Sequence, residues 1–206
     1  MAPPSPIRLV IFDMDDVLLH YDVAARQSAI AALAGLTVDE VARLIWDSGI
    51  EDASDAGRLS ADAYLAACSQ ALGIPFGRAD WFRTRALAMT LDLEAIALAQ
   101  AVKDKAALAL LTNNGFIMGE HFDALVPELR AVFGPAMHVA AEFGTKKPDP
   151  AIYARLAARY GVAPAEAAMI DDKPVNIEGA RAAGLTGHSF RSAGELRSFL
   201  AALSLI

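Results

Sequence analysis

The sequence has almost no cysteine: one thiol, Cys68, in 206 residues. No intrachain disulfide can form, which fits a reducing compartment. Cys68 lies in the apolar helical stretch AYLAACSQAL, where a buried structural thiol is expected rather than a nucleophile. Positive charge is also in short supply. Lysine and arginine number 18 against 25 aspartates and glutamates, a formal net charge of -7. Such a chain is a poor partner for nucleic acid or an anionic membrane surface. A small anionic substrate stays open, because a local site can be positive on an acidic protein. No apolar run approaches the roughly 18–20 residues of a membrane span. The start, MAPPSPIRL, has no apolar core flanked by basic residues and so does not read as a signal peptide. The expectation is a cytoplasmic protein. A mean hydropathy of +0.34 leaves monomer and homodimer both open.

What is present is a core. Hydrophobic residues make up 55% and charged residues 21%, a globular composition with enough chain for one domain and a modest insert. Short apolar runs fall at 7–13 (IRLVIFD), 106–113 (AALALLTN), 136–141 (AMHVAA), 167–171 (AAMID) and 185–190 (LTGHSF). Helical patterns ending near glycine separate the later ones: GEHFDALVPELRAVFG, PAIYARLAARYG and NIEGARAAG. Apolar strands alternating with helices imply an α/β fold, a doubly wound parallel sheet covered on both faces. The first strand breaks the rhythm. About seventy residues without a convincing strand follow it, and four segments read as helices, with Thr37 and Ser60 as N-caps and Glu40 completing a capping box. Residues 20–90 are therefore expected to be a helical insert, with 1–19 and 91–206 forming the core.

In a doubly wound sheet, ligands bind beyond the carboxyl ends of the strands. Four groups of polar residues stand at those ends. In FDMDDVL, Asp13 and Asp15 lie two apart, so in extended backbone they share a side while Met14 points away. One carboxylate can attack phosphorus while the other protonates the leaving oxygen and later activates water. A pair of acids ending a strand also serves as a turn cap, and alone the pattern is weak. In LLTNNG, Thr112 and a following backbone N–H can hold a phosphate oxygen, or simply start a helix. In GTKKPDPAIY, Lys147 stands before Pro148, and Pro150 opens the next helix. Lys147 can neutralise phosphate charge, with Lys146 as the competing candidate. In MIDDKPVN, Asp171 and Asp172 suit a hard, oxygen-liganded cation, Mg2+ above all.

Taken together and in this order, these four stretches resemble the motifs of the haloacid-dehalogenase-like hydrolase superfamily. FDMDDVL, LLTNN, KKPDPAIY and IDDKPVN carry the resemblance over roughly 7–20 and 91–190. GRLSADAYLAACSQALG and MIDDKPVNIEGARAAGL are similar to the sugar-phosphate phosphatase branch, notably glucose-1-phosphate phosphatases. The resemblance implies a Rossmann-like core with a mobile helical cap inserted after the first strand. It implies a Mg2+-dependent phosphatase acting on a small phosphorylated metabolite. Asp13 would be the nucleophile that becomes an aspartyl-phosphate, and Asp15 the general acid/base with its backbone carbonyl on the metal. Thr112 and the Asn113 backbone would bind phosphate, and Lys147 would balance charge. Asp13, Asp171 and Asp172 would hold Mg2+ directly or through water, with Asn176 supporting their loop. Asp16 stands where glycine is common in the family. It reads as a turn residue, since aspartate tolerates left-handed backbone.

Three alternatives stay open: a phosphomutase, a metal-independent 2-haloacid dehalogenase and a binding module without turnover. Asp15 and the Asp171–Asp172 pair count against the dehalogenase, and the full set of catalytic residues counts against the binding module. For substrate choice, Asp47, Ser48, Glu51 and Arg58 in the polar stretch 46–60 are candidates, although a solvated connection fits equally well. Trp46 and Trp81 can stack on a sugar or fill a core. His20 and Tyr21 can line an entrance or pack at a hinge.

Overall fold

A computed structural model describes residues 6–206; most of the proline-rich start lies outside them. In chain order the elements are β1 (Leu9–Phe12), β2 (Leu19–Tyr21), α1 (Val23–Ala34), α2 (Val38–Val41), α3 (Ile50–Asp55), α4 (Ala61–Leu72), α5 (Arg78–Leu87) and β3 (Met89–Leu91). There follow α6 (Leu93–Val102), β4 (Ala107–Thr112), α7 (Phe116–Leu125), α8 (Pro127–Phe133), β5 (Met137–Val139) and α9 (Pro150–Arg159). The chain closes with β6 (Ala167–Asp171), α10 (Pro174–Ala182), β7 (Thr186–Ser189) and α11 (Ala193–Ala202).

The five apolar runs become one parallel sheet in the order β5-β4-β1-β6-β7. Alternation along each strand sends its side chains to two cores. Leu9, Ile11, Ala109, Leu111 and Met169 pack with Ile152, Tyr153 and Leu156 of α9 and Ile177 and Ala180 of α10. Val10, Phe12, Leu108, Leu110 and Ile170 face the other way, among Ile96, Phe122, Leu129 and Leu196. Each of the larger side chains, Val, Leu, Ile, Phe or Met, contributes about 1.5–3 kcal/mol when fully buried. This is the doubly wound α/β architecture. No helix among the described residues is long and apolar enough to cross a membrane.

Register sets the site. Leu9 pairs with Ala167 and Phe12 with Ile170, so one step further Asp13 lies beside Asp171. The Asp13 N–H donates to the Ile170 carbonyl at 2.9 Å and continues the ladder to that point.

The stretch after β1 differs from the expectation of helices alone. β2 and β3 form a two-stranded antiparallel ribbon, pairing Leu19 with Leu91 and Tyr21 with Met89. The expected insert boundaries, 19/20 and 90/91, fall inside this ribbon. Three-residue strands are too short to show a period of two, so pattern reading passes over them. Residues 46–60 are likewise not a plain connection, since α3 occupies the middle of them. Thr37 and Ser60 do cap their helices, and Thr37 and Glu40 exchange both bonds of a capping box. Beyond α2 the chain continues as a π-helical turn, Ala42–Asp47, which buries Ile45. The expected helix over GEHFDALVPELRAVFG is two helices, because Pro127 has no N–H to continue α7 and starts α8 instead.

Cys68 is buried in α4 beside Tyr64, and burial pushes its thiol up to about 12. The native protein is therefore expected to be inert to a disulfide reagent at neutral pH and to release one equivalent on denaturation. Rapid labelling of the native protein would contradict this packing.

Candidate active site

The carboxyl ends of β1, β4 and β6 meet at one point. Beyond β1, Asp13 is 5% exposed and Met14 is fully buried in the core, as alternation requires. The chain then turns tightly. The Leu18 and Leu19 N–H groups both donate to the Met14 carbonyl, and the Asp16 N–H donates to the Leu19 carbonyl. Asp16 has a φ of 60°, left-handed backbone, and its carboxylate accepts from the Tyr21 N–H at 3.1 Å. It shapes the turn, as the sequence suggests.

Lys147 is the central cation. Its Nζ lies 2.6 Å from Asp171 Oδ2 and 2.8 Å from Asp13 Oδ1, and its side chain is fully buried. Burial works against its charge, but the two carboxylates outweigh that and hold its pKa above the usual lysine value. Asn113 fixes its backbone: Asn113 Nδ2 donates to the Lys147 carbonyl and Asn113 Oδ1 accepts its N–H. Gly179 makes the approach of α10 possible, since a Cβ there would lie 2.0 Å from the Pro148 carbonyl oxygen. Lys146, the competing lysine, points to the insert and pairs with Asp52.

The three converging acids, Asp13, Asp171 and Asp172, differ in what they have left to offer. Asp171 is saturated: Oδ1 accepts from the Lys173 N–H and Asn176, and Oδ2 from Lys147 and Asn176. Burial opposes its ionisation, yet Lys147 and these donors keep its carboxyl below the usual range. Asp13 Oδ1 accepts from Lys147 and the Met14 N–H, and Oδ2 accepts no hydrogen bond among the described residues. Burial lifts the Asp13 carboxyl well above its ordinary value, with Lys147 pulling it down and Asp171 adding to the rise. Asp172 Oδ1 is buried without a hydrogen-bond partner among the described residues, and burial raises this carboxyl too. Oxygens of Asp13, Asp171 and Asp172 lie within 4.8 Å of one another. A buried orphan oxygen within an all-oxygen donor set fits a hard divalent cation.

Thr112 ends β4 buried, and its hydroxyl accepts from Asn114 Nδ2 at 2.7 Å. The same Asn114 amide reaches Asp15 Oδ2 at 3.3 Å. Gly115 then caps α7 without a side-chain acceptor; the Met118 N–H turns back to the Gly115 carbonyl at 3.1 Å, and the N–H groups before it receive no side-chain cap.

Asp15 meets a residue that the sequence did not single out. Arg85 of α5 places Nη2 2.7 Å from both Asp15 oxygens, and its guanidinium lies 3.8 Å over the Tyr21 ring. Asp15 also lines a cavity of about 300 Å³ together with Tyr21, Arg26, Trp46, Glu51, Asp55, Asn113, Asn114 and Lys146. Asp13 does not line it. The insert closes the top through Ser54, whose Oγ sits where a Gly115 Cβ would be.

Of the substrate candidates, Trp46, Glu51 and Tyr21 reach this cavity. Asp47, Ser48 and Arg58 do not: the Ser48 hydroxyl donates to the Leu44 carbonyl, and Arg58 pairs with Asp52. Trp81 is core, 2% exposed. His20 lines a separate groove of about 600 Å³ on the ribbon, with Thr90 and Leu93, away from the converging acids. Sequence reading missed Arg26, Asp55, Arg85 and Asn114. The segment RADWFRTRAL holds three arginines, and nothing local marks the third as buried.

Comparison with known proteins agrees with this geometry. Residues 7–184 match the haloacid dehalogenase-like hydrolase family. A phosphoserine phosphatase from Thermus thermophilus is 38% identical over 89 residues, 43% of this chain and 35% of that protein. A flavin mononucleotide hydrolase from Arabidopsis thaliana is 36% identical over 62 residues, 30% of this chain and 25% of that protein. The matched segments thus span about a third of these relatives' length or less. Among solved structures, a family enzyme of Bacteroides thetaiotaomicron in complex with magnesium and inorganic phosphate superposes with a TM-score of 0.79 at 16% identity, covering 92% of this chain and 98% of that one. A 2-haloacid dehalogenase from Pseudomonas syringae has a TM-score of 0.63 at 20% identity, covering 95% and 99%. Four motifs at the strand ends, a central buried lysine and a family match across most of the chain make one assignment: the chain belongs to the haloacid dehalogenase-like hydrolase family.

Proposed function

We propose that this protein is a Mg2+-dependent phosphatase of small phosphomonoesters. One observation carries the reading. Three carboxylates, Asp13, Asp171 and Asp172, converge within 4.8 Å of one another, and a buried ammonium, Lys147, pairs with only two of them, Asp13 and Asp171. An unbalanced negative site with an orphaned Asp172 oxygen calls for a cation. Magnesium in the Bacteroides relative supports that choice. Asp13, Asp171 and Asp172 would hold the cation directly or through water, with the Asp15 carbonyl, and the Asp172 oxygen that lacks a partner among the described residues is the one open to it. When bound, the cation supplies positive charge against which two anions, carboxylate and phosphate, can approach.

The chain's own residues do the rest. Asp13 Oδ2, free of hydrogen bonds, attacks phosphorus in line while Oδ1 stays anchored to Lys147 and the Met14 N–H. The P–O bond to the leaving group breaks, and Asp15 delivers the proton to that oxygen. Asp15 then takes a proton from water, which attacks the aspartyl-phosphate and frees Asp13 and inorganic phosphate. Lys147, Thr112 and the N–H groups at the start of α7 face the phosphoryl oxygens. Since Asp13 is nearly inaccessible here, the insert must open to admit substrate and close to exclude water.

The test is release of p-nitrophenol from p-nitrophenyl phosphate. Mg2+ is expected to sustain turnover, and EDTA to remove at least about 99% of it by withdrawing the charge compensation. Metal-independent chloride release from 2-chloropropionate, with no phosphatase activity, would establish the dehalogenase instead.

Arg85 is a positioning residue in this scheme, holding Asp15 over the site when the insert is closed. Arg85→Met is expected to lower kcat about 10- to 100-fold, within the usual contribution of acid–base catalysis. Arg85→Lys should recover part of the loss and shift the pH–rate profile. An unchanged kcat and profile in Arg85→Met would remove the role.

A further inference from the structure

Resting on the phosphatase reading, we propose that Asp55 is a specificity-determining residue, and that it selects an uncharged leaving group bearing a hydroxyl. Asp55 ends α3, and its carboxylate lines the 300 Å³ cavity beside Asp15. Its neighbours there are already paired. Arg85 holds Asp15. Arg26 holds Glu51 at 3.0 Å and also donates to the Tyr21 and Tyr64 hydroxyls. Glu51 in turn accepts from Tyr64. Lys146 is engaged by Asp52. Among the described residues, Asp55 makes no ion pair and accepts no hydrogen bond, so it faces the cavity as an acceptor without a partner, although Arg26 Nε and Arg85 Nε are also buried there without one.

Charge narrows the ligand. The wall carries Asp15, Asp16, Glu51 and Asp55 against Arg26, Arg85, Lys146 and Lys173, a balanced set. Burial and the neighbouring Glu51 lift the Asp55 carboxyl well above its ordinary value, against the pull of Lys146, Arg85 and Arg26, so it is poorly suited to hold the full charge that an ammonium would pair with. A second carboxylate or phosphate on the leaving group would meet Glu51 and Asp55 themselves. A neutral hydroxyl can donate to Asp55 without disturbing either balance, and its partner would otherwise be a desolvated, unmatched acceptor. The Trp46 ring adds an apolar wall suited to the C–H face of a polyol. A volume of 300 Å³ is at the lower end of small-molecule sites, about 300–1,000 Å³.

The experiment compares kcat/KM for glucose 6-phosphate, ribose 5-phosphate, phosphoethanolamine, phosphoserine and p-nitrophenyl phosphate, in wild type, Asp55→Ala and Asp55→Asn with Mg2+. The wild type is expected to prefer the two neutral polyol esters over the amine-bearing ones. In Asp55→Ala the ratio of polyol ester to p-nitrophenyl phosphate should fall about tenfold or more, the loss expected when a hydroxyl loses a built acceptor. Asp55→Asn, which keeps a carbonyl acceptor, should retain more of that ratio. An unmoved ratio, with all substrates falling together, overturns the inference, as does a wild-type preference for phosphoethanolamine or phosphoserine. If the wild type hydrolyses no phosphate at all, the phosphatase reading falls and takes this inference with it.

Discussion

Asp13→Asn is expected to lower phosphomonoester turnover at least about a thousandfold, because it removes the nucleophile itself. The same change should raise the thermal midpoint of the metal-free protein. The physical reason lies in the hydrogen bonds. Asparagine is the same size, and its Oδ1 can accept from Lys147 and the Met14 N–H as the carboxylate does. Its amide replaces Oδ2, which accepts no hydrogen bond. What disappears is a buried negative charge beside Asp171, in a place where burial already lifts the Asp13 carboxyl well above its ordinary value. Stability stored against function in this way is commonly worth about 0.5–2 kcal/mol. Calorimetry in EDTA, paired with the turnover assay, checks both halves. A variant that is inactive and also less stable would show that Asp13 holds the fold rather than the reaction.

Lys147→Met should damage both properties at once. The ammonium is fully buried between two carboxylates, and removing it leaves Asp13 and Asp171 close together and uncompensated. Breaking a buried pair by deleting one partner costs about 3–5 kcal/mol. For a chain of this size that is a fall of roughly 10 °C in midpoint, at 2–4 °C per kcal/mol. Turnover should fall as well, since the phosphoryl oxygens lose their fixed cation. The double variant Lys147→Met with Asp13→Asn should recover part of the stability but none of the activity. The two sites touch, so their effects should not add. If Asp13→Asn raises the midpoint no more in the Lys147→Met background than in the wild type, the Asp13–Lys147 contact carries no energy. Arg85 provides the contrast. Its partner Asp15 is 19% exposed, so water can replace lost donors, and Arg85→Met should cost far less stability than Lys147→Met.

Much of this was legible in the linear chain. Apart from Arg8, the apolar runs carry no lysine, arginine, aspartate or glutamate until their carboxyl ends, so strand, sheet type and the place of the chemistry all follow from one pattern. Asp13, Asp15, Thr112, Asn113, Lys147, Asp171, Asp172 and Asn176 are all brought to that place. The ribbon of β2 and β3 was not legible, because three residues are too few to show alternation. For the adjacent lysines, the place of Lys147 before Pro148 favours it in sequence, and the structure adds the means: the Asn113 clasp fixes its backbone, while Lys146 pairs with Asp52.

The sequence by itself determined the parallel sheet and which residues stand at its functional edge, because side-chain periodicity and strand termini are local properties of the backbone. The tertiary structure alone decided what the insert contributes. Arg26, Asp55 and Arg85 come from three separate helices, and Arg85 is 70 residues from the carboxylate that it grips. A charged residue on a helix reads as solvent-facing until packing encloses it, and only then does its partner, or the lack of one, become a statement about substrate.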